Sequence, residues 1–345
     1  MVRFECDYSE GALPQILDLM VKTNMEQTPG YGEDVFCEKA RELIRRECQA
    51  PDADVYFVVG GTQANKVVIQ SYLRPYQGVL SAVSGHINVH ETGTIEAGGH
   101  KVLPLPSTDG KITPRQVKKA VEDHGGDHHC VQPAMVYISN PTEFGTMYTK
   151  SELEELRKVC DRLGMPLFLD GARMGYGLAS PGNDLTLADY ARLCDVFYIG
   201  ATKAGALFGE AIVICNESMK KDFKYNIKQN GALLAKGRLL GLQFLGLFGN
   251  DKPFYSACQH AVDLAIRLRD AMSDLGIKFM YNSPTNQQFP IMPNNVLRQL
   301  EDKYSWNVQE KIDRENTCVR FCTSWATREE DVNNLIADLK KVYNS

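Results

Sequence analysis

Two residues in this chain are of types, and at a spacing, that could do chemistry together. Asp170 closes the apolar run PLFLD at 166–170, and Lys203 follows the next apolar run, inside YIGATKAG at 198–205. A carboxylate at a buried strand end can hold a proton on a heteroaromatic nitrogen, and a lysine amine can hold an aldehyde as a Schiff base. Each also has an ordinary explanation. Asp170 could pair with Arg173 at the strand end, and a lysine near a strand end is usually a surface residue. A lysine buried there would be costly unless its amine were neutral or covalently engaged.

Three further stretches could serve the same site. GGTQAN at 60–65 joins a strand to a helix and offers backbone N–H groups, a helix N-terminus and a threonine hydroxyl to an anion. Alone it reads as a tight turn, since it is neither a Walker loop nor a dinucleotide GxGxxG. His86, in SGHINVH, could stack on a cofactor ring or be a satisfied loop histidine. Arg320 lies within the apolar strand TCVRFCTSW, where an arginine needs a partner. A substrate carboxylate and an internal salt bridge fit it equally well. An acid for a ring nitrogen, a lysine for an aldehyde and a phosphate site together describe the needs of pyridoxal phosphate.

The 345 residues exceed what one hydrophobic core usually serves, so a large and a smaller domain are expected. A net charge of −5 gives no electrostatic reason to expect nucleic acid or an acidic membrane as partner. MVRFECDYSEG has no signal-like apolar run, and nowhere do eighteen apolar residues stand together, so neither secretion nor membrane spanning is expected. Ten cysteines without a CxxC pair are expected to be reduced thiols in a cytoplasmic protein. His124, His128 and His129 cluster in a polar loop and His86 and His90 are four apart, but no Cys or Asp/Glu pattern accompanies them, and no metal is expected.

The elements that must position these residues alternate through the middle of the chain. Helical apolar spacing marks 13–22 and 33–49, and DVYFVVGGTQANKVVIQSYL at 54–73 reads as strand, turn and helix. Strands follow at 78–86, 100–106, 134–140, in MPLFLD, in CDVFYIGAT and at 210–215. Thr113 with Pro114 starts one helix, Ser151 with Glu154 makes a capping box for another, and Gly164 stops it. Such alternation predicts an α/β fold, a mostly parallel sheet covered by helices, with ligands beyond the strands' carboxyl ends. There Gly60, His86, Asn140, Asp170 and Lys203 are placed. Beyond about 235 a long amphipathic helix, the strands KFMYN, QFPIMP and TCVRFCTSW, and a last helix capped by Thr327 and Glu330 predict a smaller α+β domain. The division is an N-terminal segment 1–30, a large cofactor-binding domain 31–235 and a small domain 236–345.

GGTQAN, HINVHE, FLDGAR and a lysine 33 residues after the aspartate closely resemble the low-specificity threonine aldolases, within the β-eliminating-lyase group of fold type I pyridoxal phosphate enzymes. The resemblance runs from CDYSEG at 6–11 and GYGED at 30–34 to the arginine strand near 320. It implies a cytoplasmic homodimer or homotetramer with sites at the subunit interface, cleaving β-hydroxy-α-amino acids such as threonine to glycine and acetaldehyde. It further implies that Lys203 carries pyridoxal 5'-phosphate as a Schiff base, Asp170 binds the pyridine nitrogen and His86 stacks on the ring. Gly61, Thr62 and Thr202 would hold the phosphate, with Lys228 reaching it across the interface. Arg173 and Arg320 would bind the substrate carboxylate, His129 would touch its β-hydroxyl, and Tyr31 would reach the neighbouring subunit's site. His86, His129 or a water would be the base. Three departures stand out: Cys6 where the family has serine at the carboxylate, with Ser9 three residues on; extra residues in TGTIEAGGH; and ATKAGALFGE in place of SKGLG.

β-Elimination or transamination would use the same cofactor, since fold does not fix reaction. A cofactor-binding protein without turnover is a rival of another class, and a dehydrogenase lacks its fingerprint here.

Overall fold

The protein's structure, a computed structural model, describes residues 1–343. A two-residue strand, β1 (Val2–Arg3), opens the chain, and seven strands then build the large sheet: β2 (Asp54–Val58), β3 (Gln77–Ala82), β4 (Lys101–Leu105), β5 (Gln132–Ser139), β6 (Leu167–Asp170), β7 (Val196–Gly200) and β8 (Glu210–Ile214). Their order is β2-β8-β7-β6-β5-β3-β4. Strands β3 to β7 pair in parallel, while β8 runs antiparallel to both neighbours, β2 and β7. The expected mostly parallel sheet is present.

Both faces of this sheet are buried, and β7 shows how a continuous apolar run achieves that. Phe197 and Ile199 point into one core, Val196 and Tyr198 into the other, following the two-residue period of a strand. The helix Gly61–Tyr72 covers the second core through Ala64, Val67 and Val68. Helices Val35–Glu47, Lys150–Leu163 and Arg238–Phe248 pack into the first. Gly241 lets two of them touch, because a Cβ there would lie 2.6 Å from the Cys37 Cα.

A third core belongs to the C-terminal unit, with strands β9 (Lys278–Phe279), β10 (Gln287–Gln288), β11 (Pro290–Pro293), β12 (Tyr304–Ser305), β13 (Asn307–Lys311) and β14 (Asn316–Cys322). In its antiparallel sheet β14 pairs with β10, β11 and β13. Strand β1 pairs in parallel with β12, and Phe4 is buried in the third core, so the N-terminal segment is stitched to the C-terminal unit. That stitch carries residues 5–8 between the two units.

Local signals read from sequence hold in part. The Thr113 capping box is formed, with Gln116 as its return partner, and Gly164 ends its helix at φ 64°. The helix expected to start at Ser151 instead uses Thr149 as its cap and Glu152 as the return, two residues earlier. Thr149 wins because its extended backbone aims its hydroxyl at the Glu152 N–H. Thr327 does not form the expected box with Glu330; its hydroxyl accepts from the Ser324 N–H at 2.7 Å. Residue His86 begins a one-turn helix, His86–Val89, rather than ending a strand. All ten cysteines are free. Among the described residues no helix is long and apolar enough to cross a membrane.

Candidate active site

The carboxyl ends of β2, β3, β5, β6 and β7 open onto one cavity of about 730 Å³. Gly60, Gly61 and Thr62 line it from the first turn of their helix, together with His86, Asp170, Arg173, Thr202, Lys203 and Arg320. The topology thus gathers nine residues that lie up to 260 positions apart in the chain.

Asp170 forms the floor. Its Oδ2 accepts from the Tyr137 hydroxyl at 2.6 Å and the Asn65 amide at 3.1 Å, and Oδ1 accepts from the Ala172 N–H at 3.0 Å. Burial alone would raise its pKa, but His86 and the hydroxyls of Tyr137 and Tyr198 hold it below the ordinary value. Asp170 is therefore an ionised, buried carboxylate whose hydrogen-bond donors are all neutral. A proton-bearing ring nitrogen is the kind of group that such an acid would hold.

Lys203 lies in the turn after β7, with its amine 6.0 Å from the centre of the Tyr8 ring. Burial, and then the charge of Arg173, lower its pKa and favour the nucleophilic neutral amine. Gly61 has a steric reason to be glycine, since a Cβ would come within 2.8 Å of the Tyr198 hydroxyl. The Ser84 hydroxyl, on the same cavity wall, is buried without a partner. Thr202 gives its hydroxyl to Glu210 at 2.9 Å. Burial pushes the Glu210 carboxyl up to about 8, so it is poised to carry a proton beside Lys203.

His86 is held by Glu91, its Nδ1 lying 2.7 Å from the carboxylate. Burial opposes charge on the ring, but Glu91 and Asp170 outweigh it and raise the pKa. Asn65 donates to both Glu91, at 2.7 Å, and Asp170, which makes one polar chain from His86 to the floor. Neither Asn65 nor Glu91 was singled out from sequence. Asn65 sits inside the quoted GGTQAN and Glu91 inside HINVHE, but nothing local says that positions 26 and 105 residues apart will meet.

The two arginines differ. Arg173 does not pair with Asp170; it clamps Asp7 through Nε at 2.8 Å and Nη2 at 3.1 Å. Asp7 is fully buried, also accepts from Asn286, and is held at about 2 against its burial by Arg173 and Lys203. Arg320 donates to the Gln287 side chain at 3.2 Å and the Glu5 carbonyl at 3.0 Å, and its Nε has no partner. Both contacts are neutral.

Four expected site residues lie elsewhere in the chain. Ser9 does not line the cavity; its hydroxyl is 3.2 Å from the Cys6 sulfur, and Asp7 and Tyr8 between them are the residues turned inward. His129 precedes β5, whereas the cavity lies beyond that strand's far end, so it cannot reach this chain's site. It is exposed beside Asp127 and His128, whose ligand atoms converge to within 4.8 Å. Tyr31, at φ 60°, and Lys228 also lie outside the cavity but stand together, the amine 4.8 Å from the ring centre.

Comparison with known proteins gives concordant results. The family model described as Beta-eliminating lyase matches residues 7–321. A low specificity L-threonine aldolase of a Pseudomonas strain is 30% identical over 99% of this chain and 98% of its own. The structure of threonine aldolase from Leishmania major superposes with a TM-score of 0.98 at 45% identity, covering 99% of this chain and all of that one. An aspartate aminotransferase of Thermus thermophilus shares the fold, with a TM-score of 0.74 at 16% identity.

Proposed function

The chain belongs to the beta-eliminating lyase family, and on that premise we propose that it cleaves β-hydroxy-α-amino acids, threonine among them, by a pyridoxal phosphate-dependent retro-aldol reaction. The observation that carries the reading is one cavity shared by an ionised Asp170 whose hydrogen-bond donors are all neutral, the depressed amine of Lys203 and the helix N-terminus at Gly60–Thr62. The residues fit the cofactor: Ser84 and the first-turn amides wait for an oxyanion, and Asp170 waits for a positive partner.

When bound, pyridoxal phosphate supplies a protonated ring that stabilises the electron pair left on Cα when the Cα–Cβ bond breaks. Asp170 keeps the ring nitrogen protonated, and Asn65, Tyr137 and the Ala172 N–H keep Asp170 ionised and aimed. Lys203 would hold the aldehyde carbon. Gly61, Thr62, Ser84 and Thr202 would hold the phosphate, and His86, fixed by Glu91, would cover the ring face. Arg320 would bind the substrate carboxylate, because it is the arginine with only neutral partners, while Arg173 supports it from the Asp7 clamp.

The same reading makes the active form a cytoplasmic homodimer or homotetramer. Ten free thiols suit a reducing compartment. Tyr31 and Lys228, exposed together and outside the lining of their own chain's cavity, would complete the neighbouring subunit's site. The division into a segment 1–30, a cofactor domain 31–235 and a small domain 236–345 belongs to this proposal as well.

Incubation of the protein with threonine, allo-threonine and phenylserine should release glycine and the matching aldehyde in equal amounts. Ammonia and a keto acid in their place would assign the chain to β-elimination or transamination.

A further inference from the structure

The loop after β5 carries a carboxyl group to which the chemistry above gives no task. Glu143 lines the cavity beside His86, on the wall beyond the carboxyl end of β5. Its Oε1 accepts from the His86 N–H at 2.9 Å and from the Ser139 hydroxyl at 2.7 Å. Its Oε2 takes no hydrogen bond from any other described residue. One oxygen is thus anchored and the other left for whatever enters.

The loop that carries it is held in place. Phe144, the next residue, also faces the cavity and stacks on Tyr281 of the C-terminal unit, with ring centres 4.2 Å apart and planes at 9°. Gly145 follows at φ 72°, where a side chain would strike Ser283. Burial raises the carboxyl's pKa beyond what the Ser139 hydrogen bond takes back, with the charge of Asp170 adding to the rise. A carboxyl group whose pKa is raised above the ordinary range binds a proton more readily and can give it back. The groups around it are His86 from its one-turn helix, Asp170 from β6, Tyr137 from β5 and Tyr148 from the loop beyond.

The histidines serve less well as the base. His86 is pushed toward its charged form and its Nδ1 is taken by Glu91. His129 is at the wrong end of β5. His90 lines the cavity and is pushed toward neutral imidazole by burial, so it is the rival to be tested.

We propose that Glu143 is a catalytic residue, the base that accepts the proton of the substrate's β-hydroxyl, an inference that rests on the retro-aldol reading. As the O–H proton passes to Oε2, the O–H electron pair becomes the second bond of the departing aldehyde's carbonyl. The Cα–Cβ bond breaks in the same step and leaves its pair on Cα, in conjugation with the bound cofactor. Cα takes its proton separately, from the Lys203 side of the cavity, to complete glycine, and Glu143 gives the β-hydroxyl proton to solvent, which leaves it ionised for the next cycle.

The test uses the cofactor-loaded protein and Glu143→Gln, whose amide oxygen can still accept from His86 and Ser139. Threonine cleavage should fall by about 10²- to 10⁴-fold, the usual worth of a general base, while exchange of the glycine α-proton with heavy water, which involves no β-hydroxyl, stays at the wild-type rate. Glu143→Asp should recover part of the cleavage. An infrared difference spectrum should show a protonated carboxyl band that titrates above the ordinary glutamate range in the wild type and is missing from Glu143→Gln. Equal loss of cleavage and glycine exchange, unchanged cleavage, absence of the infrared band, or a loss confined to His90→Gln would each overturn the proposal. A wild type that exchanges the glycine proton but cleaves no β-hydroxy amino acid would overturn the retro-aldol reading, and this inference with it.

Discussion

The floor and the rim of the cavity are built on opposite principles. On the floor, charged groups are tied to partners: Asp170 accepts from Tyr137, Asn65 and the Ala172 N–H, Asn65 bridges it to Glu91 and His86, and Arg173 is clamped on Asp7, with only Asn65 Oδ1 and Glu91 Oε2 bare among these groups. At the rim, Arg320 meets only neutral acceptors and keeps a bare Nε, and Glu143 has an Oε2 to which no other described residue donates. A buried charge with its partners in place holds a fold together and fixes geometry, whereas one without them is a place for a ligand. The difference separates residues whose loss should cost stability from residues whose loss should cost turnover.

Breaking the floor should give the larger effect on folding. Asp7→Ala leaves the Arg173 charge buried and unpaired, which costs about 3–5 kcal/mol in comparable sites, measured by urea denaturation. Its pH dependence has a defined sign. Asp7 lies at about 2 in the folded protein against an ordinary 3.8. A depressed carboxyl stabilises the fold above its unfolded value and loses that contribution as pH falls toward the folded one. The stability gap between wild type and variant should therefore be constant near neutral pH and close as pH falls from 3.8 toward 2. A gap independent of pH across that window would contradict the assignment.

Breaking the rim should instead leave the fold intact. Arg320→Ala should raise KM for threonine by roughly 30-fold, which corresponds to about 2 kcal/mol for a truncated charge pair. The melting temperature should be little changed. A large drop in melting temperature with unchanged KM would make Arg320 a structural residue and erase the contrast.

Much of this molecule could be read before any coordinates. Alternating apolar runs gave the sheet, and strand-end positions placed Gly60, His86, Asp170 and Lys203 around one opening, because a parallel sheet presents all its carboxyl ends on one side. Asn140, expected there too, does not line the cavity and is buried on the Tyr190 hydroxyl and the Tyr148 N–H. What failed was of two kinds. Thr149 replaced Ser151 as a cap because two candidates stood two residues apart and only the backbone angle chose between them. Arg173 was expected to face the substrate carboxylate rather than Asp170, and it is indeed not paired with Asp170, but the carboxylate it clamps is Asp7, brought in by a strand that pairs with β12 at the other end of the chain. Ser9 and His129 were placed by spacing along the chain, which says nothing of the side of a loop or the end of a strand. Glu143 was invisible for the same reason: its partners, Ser139 and His86, are 4 and 57 residues away, and only the second gives it a place in the site.

In the proposed mechanism Lys203 carries the cofactor above the Asp170 floor. Borohydride reduction of the cofactor-loaded protein, followed by peptide mass mapping, tests it most directly. The pyridoxyl mass should appear on Lys203 alone, in the peptide containing YIGATKAG. The same mass on Lys66 or Lys228, with Lys203 unmodified, would contradict it.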